Sequence, residues 1–231
     1  MKDIIILHGA IGAADQMQAI KGIFIDEYQV HTLSFYGHGD NPSEEPFRIE
    51  RFSAQLGAYI EDHNLVKPLI IGYSMGGFVA LHFAQKHASR ITGIVTLATK
   101  FEWSPEIASK ETKMLDPKAI QEKVPAFAST LAKRHGEDNW VNVLKKTAEM
   151  MNHLGNNNPL ISLEQISIPV LCCIGDRDNM VSFEETQQLF KSLPNASFCV
   201  IPNTPHPIEK VNMVVFTAVV RQFASRIRSA H

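Results

Sequence analysis

The sequence predicts an α/β fold: a doubly wound, mostly parallel sheet of about six strands with an inserted helical lid. Three observations predict it. Short apolar runs recur with helical segments between them, and several runs are apolar throughout, as strands are when helices cover both faces of a parallel sheet. The rhythm stops between Phe101 and Ser167, where no strand is evident. Finally, Gly72-Tyr73-Ser74-Met75-Gly76 sets a G-x-S-x-G pattern between a strand and a helix.

The elements follow in order. Asp3–Leu7 is the first strand, with the loop His8-Gly9-Ala10-Ile11-Gly12 after it and a helix near Asp15–Phe24. A strand over Gln29–Phe35 leads to a helix over Ile49–Asn64. The strand Pro68–Gly72 enters the serine turn, and the helix Gly76–His87 leaves it. Ile91–Ala98 is the next strand. Beyond the insertion come a strand over Pro169–Ile174, a helix over Phe183–Leu193, a strand over Ser197–Ile201 and a helix over Ile208–Arg228. Ser182 followed by Glu185 has the form of a capping box for the Phe183 helix.

Residues 101–167 read as helices punctuated by Pro105, Pro117, Gly136, Gly155 and the turn Asn156-Asn157-Asn158-Pro159. Asp116 before Pro117 is a good cap and first-turn pair, and Asp138 is placed to cap a helix over Trp140–Leu154. The segment carries Phe101, Trp103, Phe127, Trp140, Met150 and Met151, many large apolar groups for a surface appendage. It is therefore expected to be a lid over the carboxyl ends of the strands, where open α/β sheets bind ligands. The alternative is a decorated crossover. Residues 1–231 are expected to form one domain, with 101–167 as its lid.

Composition narrows the function. The chain of 231 residues is 45% apolar and 20% charged, enough for a full core. A net charge of −2 offers no basic face for nucleic acid. No apolar run approaches the ~18 residues that would span a bilayer. The run Ile4-Ile5-Ile6-Leu7 is too short for a signal peptide. Cys172, Cys173 and Cys199, an odd number, lie in strand-like runs and suit reduced, buried thiols in the cytoplasm. No metal site and no cofactor are expected. The expected partner is a small-molecule substrate, and the oligomeric state is left open.

Acyl transfer by serine needs a base, an acid that fixes the tautomer of the base, and two N–H donors for the oxyanion. A serine at a strand-to-helix turn in an α/β sheet is followed in the chain by Asp or Glu, then His. Asp178, in Gly175-Asp176-Arg177-Asp178, lies just past a strand end and is the expected acid; Asp176 and Glu102 compete. His206 alone among ten histidines lies past a late strand end and before the last helix, between Pro205 and Pro207. His31 falls in a strand; His63, His82, His87, His135 and His153 fall on helices; His231 is terminal. The bland readings, a turn aspartate and an incidental loop histidine, would stand if Ser74 were absent. Met75 N–H and Ala10 N–H are the expected oxyanion donors, and His8 reads as a pin for the Ala10 loop. Ile11, Tyr73, Phe101, Trp103, Phe127, Trp140 and Val181 are the expected substrate contacts.

Taken together, the His8-Gly9 loop, Tyr36-Gly37-His38-Gly39-Asp40, the Ser74 turn, Gly175-Asp176-Arg177-Asp178 and His206 resemble the α/β-hydrolase superfamily, in its small, lidded, esterase-like branch. The resemblance spans nearly the whole chain. It implies a serine hydrolase that cleaves a small apolar or aromatic carboxylic ester, or a thioester, through an acyl-enzyme. The chain departs from the family in three places. It starts at what is usually the third strand, which implies a sheet of about six strands. Pro205 stands where Gly commonly precedes the histidine. Phe78 stands where relatives acting on anionic, dicarboxylate-like substrates often carry Arg. Two alternatives remain: a carbon–carbon bond hydrolase or lyase using the same triad, and a small-molecule-binding receptor or scaffold with a vestigial triad.

Overall fold

The computed structural model describes residues 2–229. The first half of the chain runs β1 (Asp3–Leu7), α1 (Gln18–Phe24), β2 (Gln29–Leu33), α2 (Ile49–Asp62), β3 (Leu69–Tyr73), α3 (Met75–His87) and β4 (Gly93–Leu97). Four helices follow: α4 (Pro105–Thr112), α5 (Pro117–Lys123), α6 (Pro125–His135) and α7 (Trp140–Asn156). The chain then resumes with β5 (Val170–Gly175), α8 (Phe183–Ser192), β6 (Ala196–Ile201) and α9 (Met213–Ser229).

The six strands form one sheet in the order β2-β1-β3-β4-β5-β6, and every pairing is parallel. From β1 the chain steps outward to β2, then returns across to β3. The order therefore reverses between β1 and β3, and a crevice opens at the carboxyl ends of strands at such a switch point. The register there sets Leu7 beside Gly72. The loop that begins at His8 and the turn that holds Ser74 thus leave the sheet side by side.

Alternate side chains of each strand feed the two faces. Ile5, Leu7 and Ile70 pack with Phe52, Phe83 and Leu189 from α2, α3 and α8. Ile4, Ile6 and Ile71 pack with Phe24 from α1 and with Phe216 and Val220 from α9. Each such side chain, fully enclosed, stabilises the fold by roughly 1.5–3 kcal/mol. Among the described residues no helix is long and apolar enough to cross a membrane.

The inserted helices start where local chemistry starts them. Pro105, Pro117 and Pro125 each open a helix, where a missing N–H costs nothing. Ser104 Oγ accepts from Ile107 N at 3.2 Å and Asp116 Oδ1 from Ala119 N at 2.8 Å. The helices also share a small core of their own, with Ile120, Leu131, Trp140 and Leu144 buried together.

Several boundaries differ from the sequence reading. Asp138 does not cap α7: Trp140 N–H donates to the Gly136 carbonyl at 3.1 Å, so a backbone turn leads straight into the helix. The second strand stops at Leu33 rather than Phe35, because Phe35 N–H donates to the His8 ring at 3.0 Å. The last helix starts at Met213 rather than Ile208. Residues 208–210 form a separate 3₁₀ turn, and Asn212 Oδ1 accepts from Val215 N at the true start. The Ser182–Glu185 capping box forms as its spacing suggests. His231, read as terminal, lies outside the described residues.

Candidate active site

Ser74 stands between β3 and α3 with φ 50° and ψ −118°. A non-glycine residue held there stores about 1–3 kcal/mol of strain. The surroundings enforce it. Ser74 N–H donates to Leu97 O on the neighbouring strand at 2.8 Å, and Ser74 O accepts from Gly77 N at 3.0 Å. The glycines of the pattern have steric reasons. A Cβ on Gly72 would run into the backbone of Gly76 and Gly77, and one on Gly76 would stand 2.5 Å from Leu7 O.

Ser74 Oγ lies 3.4 Å from His206 Nε2, a long contact of the kind that tightens when substrate binds. On the other side of the ring, Nδ1 lies 2.9 Å from Asp178 Oδ2 and 3.1 Å from Oδ1. That partner assigns the proton to Nδ1 and leaves the Nε2 lone pair facing Ser74. Asp178 Oδ1 also accepts from Met180 N and Val181 N, each at 2.9 Å. Burial alone would raise the Asp178 carboxyl, but the His206 hydrogen bond and charge, with those two N–H groups, outweigh it and hold the carboxyl below its ordinary range.

The two competing acids stand elsewhere. Asp176 Oδ1 accepts from Thr204 N at 3.0 Å and so ties down the loop that carries His206. Glu102 is exposed, and its N–H donates to Glu185. Tyr73 has a different place from the one expected. It is buried, its hydroxyl donates to His206 O at 3.1 Å, and it supports the histidine loop from below instead of lining the cavity. Burial raises the pKa of its phenol.

The loop after β1 is held by three histidines, one per successive carbonyl. His8 Nδ1 lies 2.7 Å from Gly9 O, His38 Nε2 2.8 Å from Ala10 O, and His135 Nε2 3.0 Å from Ile11 O. The opposite nitrogens of His8 and His135 accept from Phe35 N and Gly39 N. Both rings are thereby fixed as neutral tautomers. Burial pushes His8 well below its ordinary pKa, with the neighbouring His38 adding to the effect; burial also takes His38 down to about 4 and lowers His135. With its carbonyls engaged, the loop brings Ala10 to the cavity beside Ser74 and Met75. Met75 opens α3, so its N–H has no carbonyl one turn back to bond. Only His8 among the three was read as a loop pin. His38 belongs to the Tyr36–Asp40 motif, whereas His135 sits at the end of an inserted helix, where spacing carries no signal of its partner.

A cavity partly open to solvent holds Ser74 and His206 on its wall. Trp103 and Val181, both expected substrate contacts, line it. Phe78, Met150, Met151 and Leu154 complete an apolar wall. The other expected contacts lie outside the lining. Trp140 is buried in the small core of the insertion, with Ile11 packed against that core. Phe101 belongs to the main core, and its N–H donates to Glu185 at 2.6 Å. Phe127 is 39% exposed. Lining residues not among the expected contacts include the charged pair Lys100 and Glu111, with Ile49, Leu154 and Met180. Among the described residues no group of three or more His, Cys, Asp or Glu could hold a metal ion.

Comparison with known proteins agrees with this architecture. Residues 3–151 match the family described as alpha/beta hydrolase fold. The chain is 22% identical to a pimeloyl-[acyl-carrier protein] methyl ester esterase of Vibrio atlanticus, over 97% of this chain and 95% of the relative. It is 24% identical to a 2-succinyl-6-hydroxy-2,4-cyclohexadiene-1-carboxylate synthase of Photorhabdus laumondii, over 95% of this chain and 84% of the relative. Among solved structures, a thermophilic esterase from Thermogutta terrifontis superposes with a TM-score of 0.79 at 19% identity, covering 98% of this chain and 90% of that one. With a family match over more than half its length, a six-stranded parallel sheet and a serine turn at the switch point, the chain belongs to the α/β-hydrolase fold family.

Proposed function

We propose that the protein is a serine hydrolase that cleaves a small carboxylic ester, or a thioester, through an acyl-enzyme. The observation that carries this reading is the continuous contact from Ser74 Oγ to His206 to Asp178, with a cavity open beside it. In this reading His206 Nε2 takes the Ser74 proton as Oγ attacks the ester carbonyl. Asp178 holds the ring in orientation and stabilises the imidazolium. Met75 N–H and Ala10 N–H receive the developing oxyanion. His206 then returns the proton to the leaving alcohol, and water repeats the sequence to release the acid.

The inserted helices act as a lid in this reading, since Trp103, Met150, Met151 and Leu154 face the same cavity as Ser74. Their chemistry favours an apolar stretch in the acyl group. Phe78 on the wall, 2% exposed, offers nothing to a carboxylate, which weighs against a dianionic substrate.

The test is turnover of p-nitrophenyl acetate and hexanoate, with mass spectrometry of protein quenched in the burst. The expected result is hydrolysis with an acyl group on Ser74. Specific binding of small apolar ligands with no turnover of any ester or thioester would instead support a receptor.

A further inference from the structure

All three cysteines are free thiols, and two of them are neighbours. Cys173 on β5 and Cys199 on β6 are partners in the parallel register. Both side chains lie on the face that α9 covers. Cys173 is buried there, while Cys199, on the edge strand, is partly exposed. Cys172 points to the opposite face and packs in the other core. The hydrogen bond from the Cys173 thiol holds Cys199 down at about 7, although burial would raise it; the same bond, with burial, pushes Cys173 up. The accessible sulfur of the pair is thus also the one that ionises first, and thiolates are the sulfurs that oxidants attack.

The pair sits directly beneath the candidate site. Cys173 lies five residues before Asp178 and Cys199 seven before His206. Between them and the site the two strand ends are stitched together. Asp176 N–H donates to Ile201 O and Arg177 N–H to Thr204 O, each at 3.1 Å, and Thr204 N–H donates to Asp176 Oδ1 at 3.0 Å. A shift of β6 against β5 is therefore carried into the loops that hold Asp178 and His206. Neighbouring strands lie about 4.8 Å apart, a Cα separation that a disulfide accepts, but the bond needs its Cβ atoms at about 3.8 Å and so draws the strands in by roughly 1 Å.

We propose that Cys173 and Cys199 form a redox modification site, in which a hydroperoxide converts the two thiols to a disulfide and the cross-link disturbs the Asp178–His206 pair. With hydrogen peroxide, the Cys199 sulfur attacks one oxygen and the O–O bond breaks. Cys199 becomes a sulfenic acid, and the other oxygen leaves as water. The Cys173 sulfur then attacks the Cys199 sulfur, and the departing hydroxide leaves as water with the Cys173 proton. The thiols give up two electrons and two protons, and the peroxide becomes two waters. The strain of the short cross-link keeps it within reach of a dithiol reductant. Only its effect on turnover rests on the hydrolase reading; the cross-link and its effect on His206 do not.

The test treats the wild type and Cys199→Ser with hydrogen peroxide, then with excess dithiothreitol. In the wild type the expected results are loss of two hydrogen atoms in intact mass and a Cys173–Cys199 cross-link in non-reducing peptide maps. The proton resonance of His206 Nδ1 should shift, and p-nitrophenyl acetate hydrolysis should fall roughly 10-fold or more. Dithiothreitol should reverse all four. Cys199→Ser should keep its basal hydrolysis and lose this reversible response; methionine sulfoxide, which dithiothreitol leaves in place, would appear in both proteins. No cross-link, a sulfinic acid on Cys199 in its place, a cross-link through Cys172, an unmoved His206 resonance, or the same reversible loss in Cys199→Ser would each overturn the proposal. A wild type that forms the cross-link and shifts the resonance, yet hydrolyses no ester before treatment, would uphold it and count against the hydrolase reading alone.

Discussion

The sheet edge and the inserted helices meet at one cavity, and they hold their side chains in different ways. At the sheet edge, Ser74, Asp178 and His206 are fixed by hydrogen bonds to the backbone around them: Ser74 through Leu97, Asp178 through Met180 and Val181, and the His206 loop through Tyr73 and Asp176. In the insertion, Met150 and Leu154 on α7 lie in the main core, and Trp140 at the start of α7 closes a separate one. Hydrogen bonds set atoms to within tenths of an ångström, which proton transfer requires. Packing sets shape, on which the choice of acyl group depends in the proposed reaction. Substitutions at the first region should act on rate, and those at the second on stability and KM.

The largest effects test the first half of that contrast. Ser74→Ala or His206→Ala should lower kcat for an activated ester by ~10⁶, because groups that act as a unit fail together. Asp178→Asn should cost ~10⁴, since the ring is then held in the wrong tautomer. Asp176→Asn should retain most activity, because an amide oxygen still accepts from Thr204 N. If Asp176→Asn and Asp178→Asn exchanged these effects, the acid would be misassigned.

The insertion gives the next effects. Trp140→Ala should destabilise the fold by ~3–5 kcal/mol, the usual loss for a large buried aromatic, and leave KM for hexanoyl esters unchanged. Trp103→Ala should do the reverse, raising KM roughly 10-fold for apolar esters. Urea titration and steady-state kinetics on both variants separate the two outcomes. A KM effect from Trp140→Ala would place the insertion differently over the cavity.

Acid provides a third test, on the loop between the two regions. The imidazole of an unfolded chain titrates near ~6.5, and His38 is held at about 4 in the fold. On acidification the unfolded chain takes the proton first. Stability is thus complete above about pH 6.5 and declines as pH falls toward 4, by about 1.4 kcal/mol per unit and ~3 kcal/mol in all from this residue. His8 and His135 act in the same direction. Urea midpoints at about pH 7 and about pH 4.5 should differ by less in His38→Gln than in the wild type. Equal differences would mean that His38 does not carry the acid sensitivity.

How much was legible in the sequence follows the same division. The strand positions and the approach of Ser74, Asp178 and His206 could be read from the chain, because each follows a strand of a mostly parallel sheet; the order of the strands could not. Position along the chain then fixes the edge of the sheet on which a residue emerges. Contacts within the insertion could not be read this way. Trp140 and Met150 both lie on α7, and helical spacing does not say which of them meets the cavity and which the small core. His135 is likewise assigned only by a partner distant in sequence, Ile11. Tyr73 was misplaced because alternation along a strand gives the face of a residue but not the loop packed against that face.

The measurement that bears most directly on an activated Ser74 is the rate of labelling by a fluorophosphonate, followed by peptide mapping. Rapid, stoichiometric modification of Ser74 is expected in the wild type, none in Ser74→Ala, and labelling slowed by ~10³ or more in His206→Ala, where the proposed base is gone. Labelling at another residue, no labelling of the wild type, or an equal rate in His206→Ala would contradict this expectation.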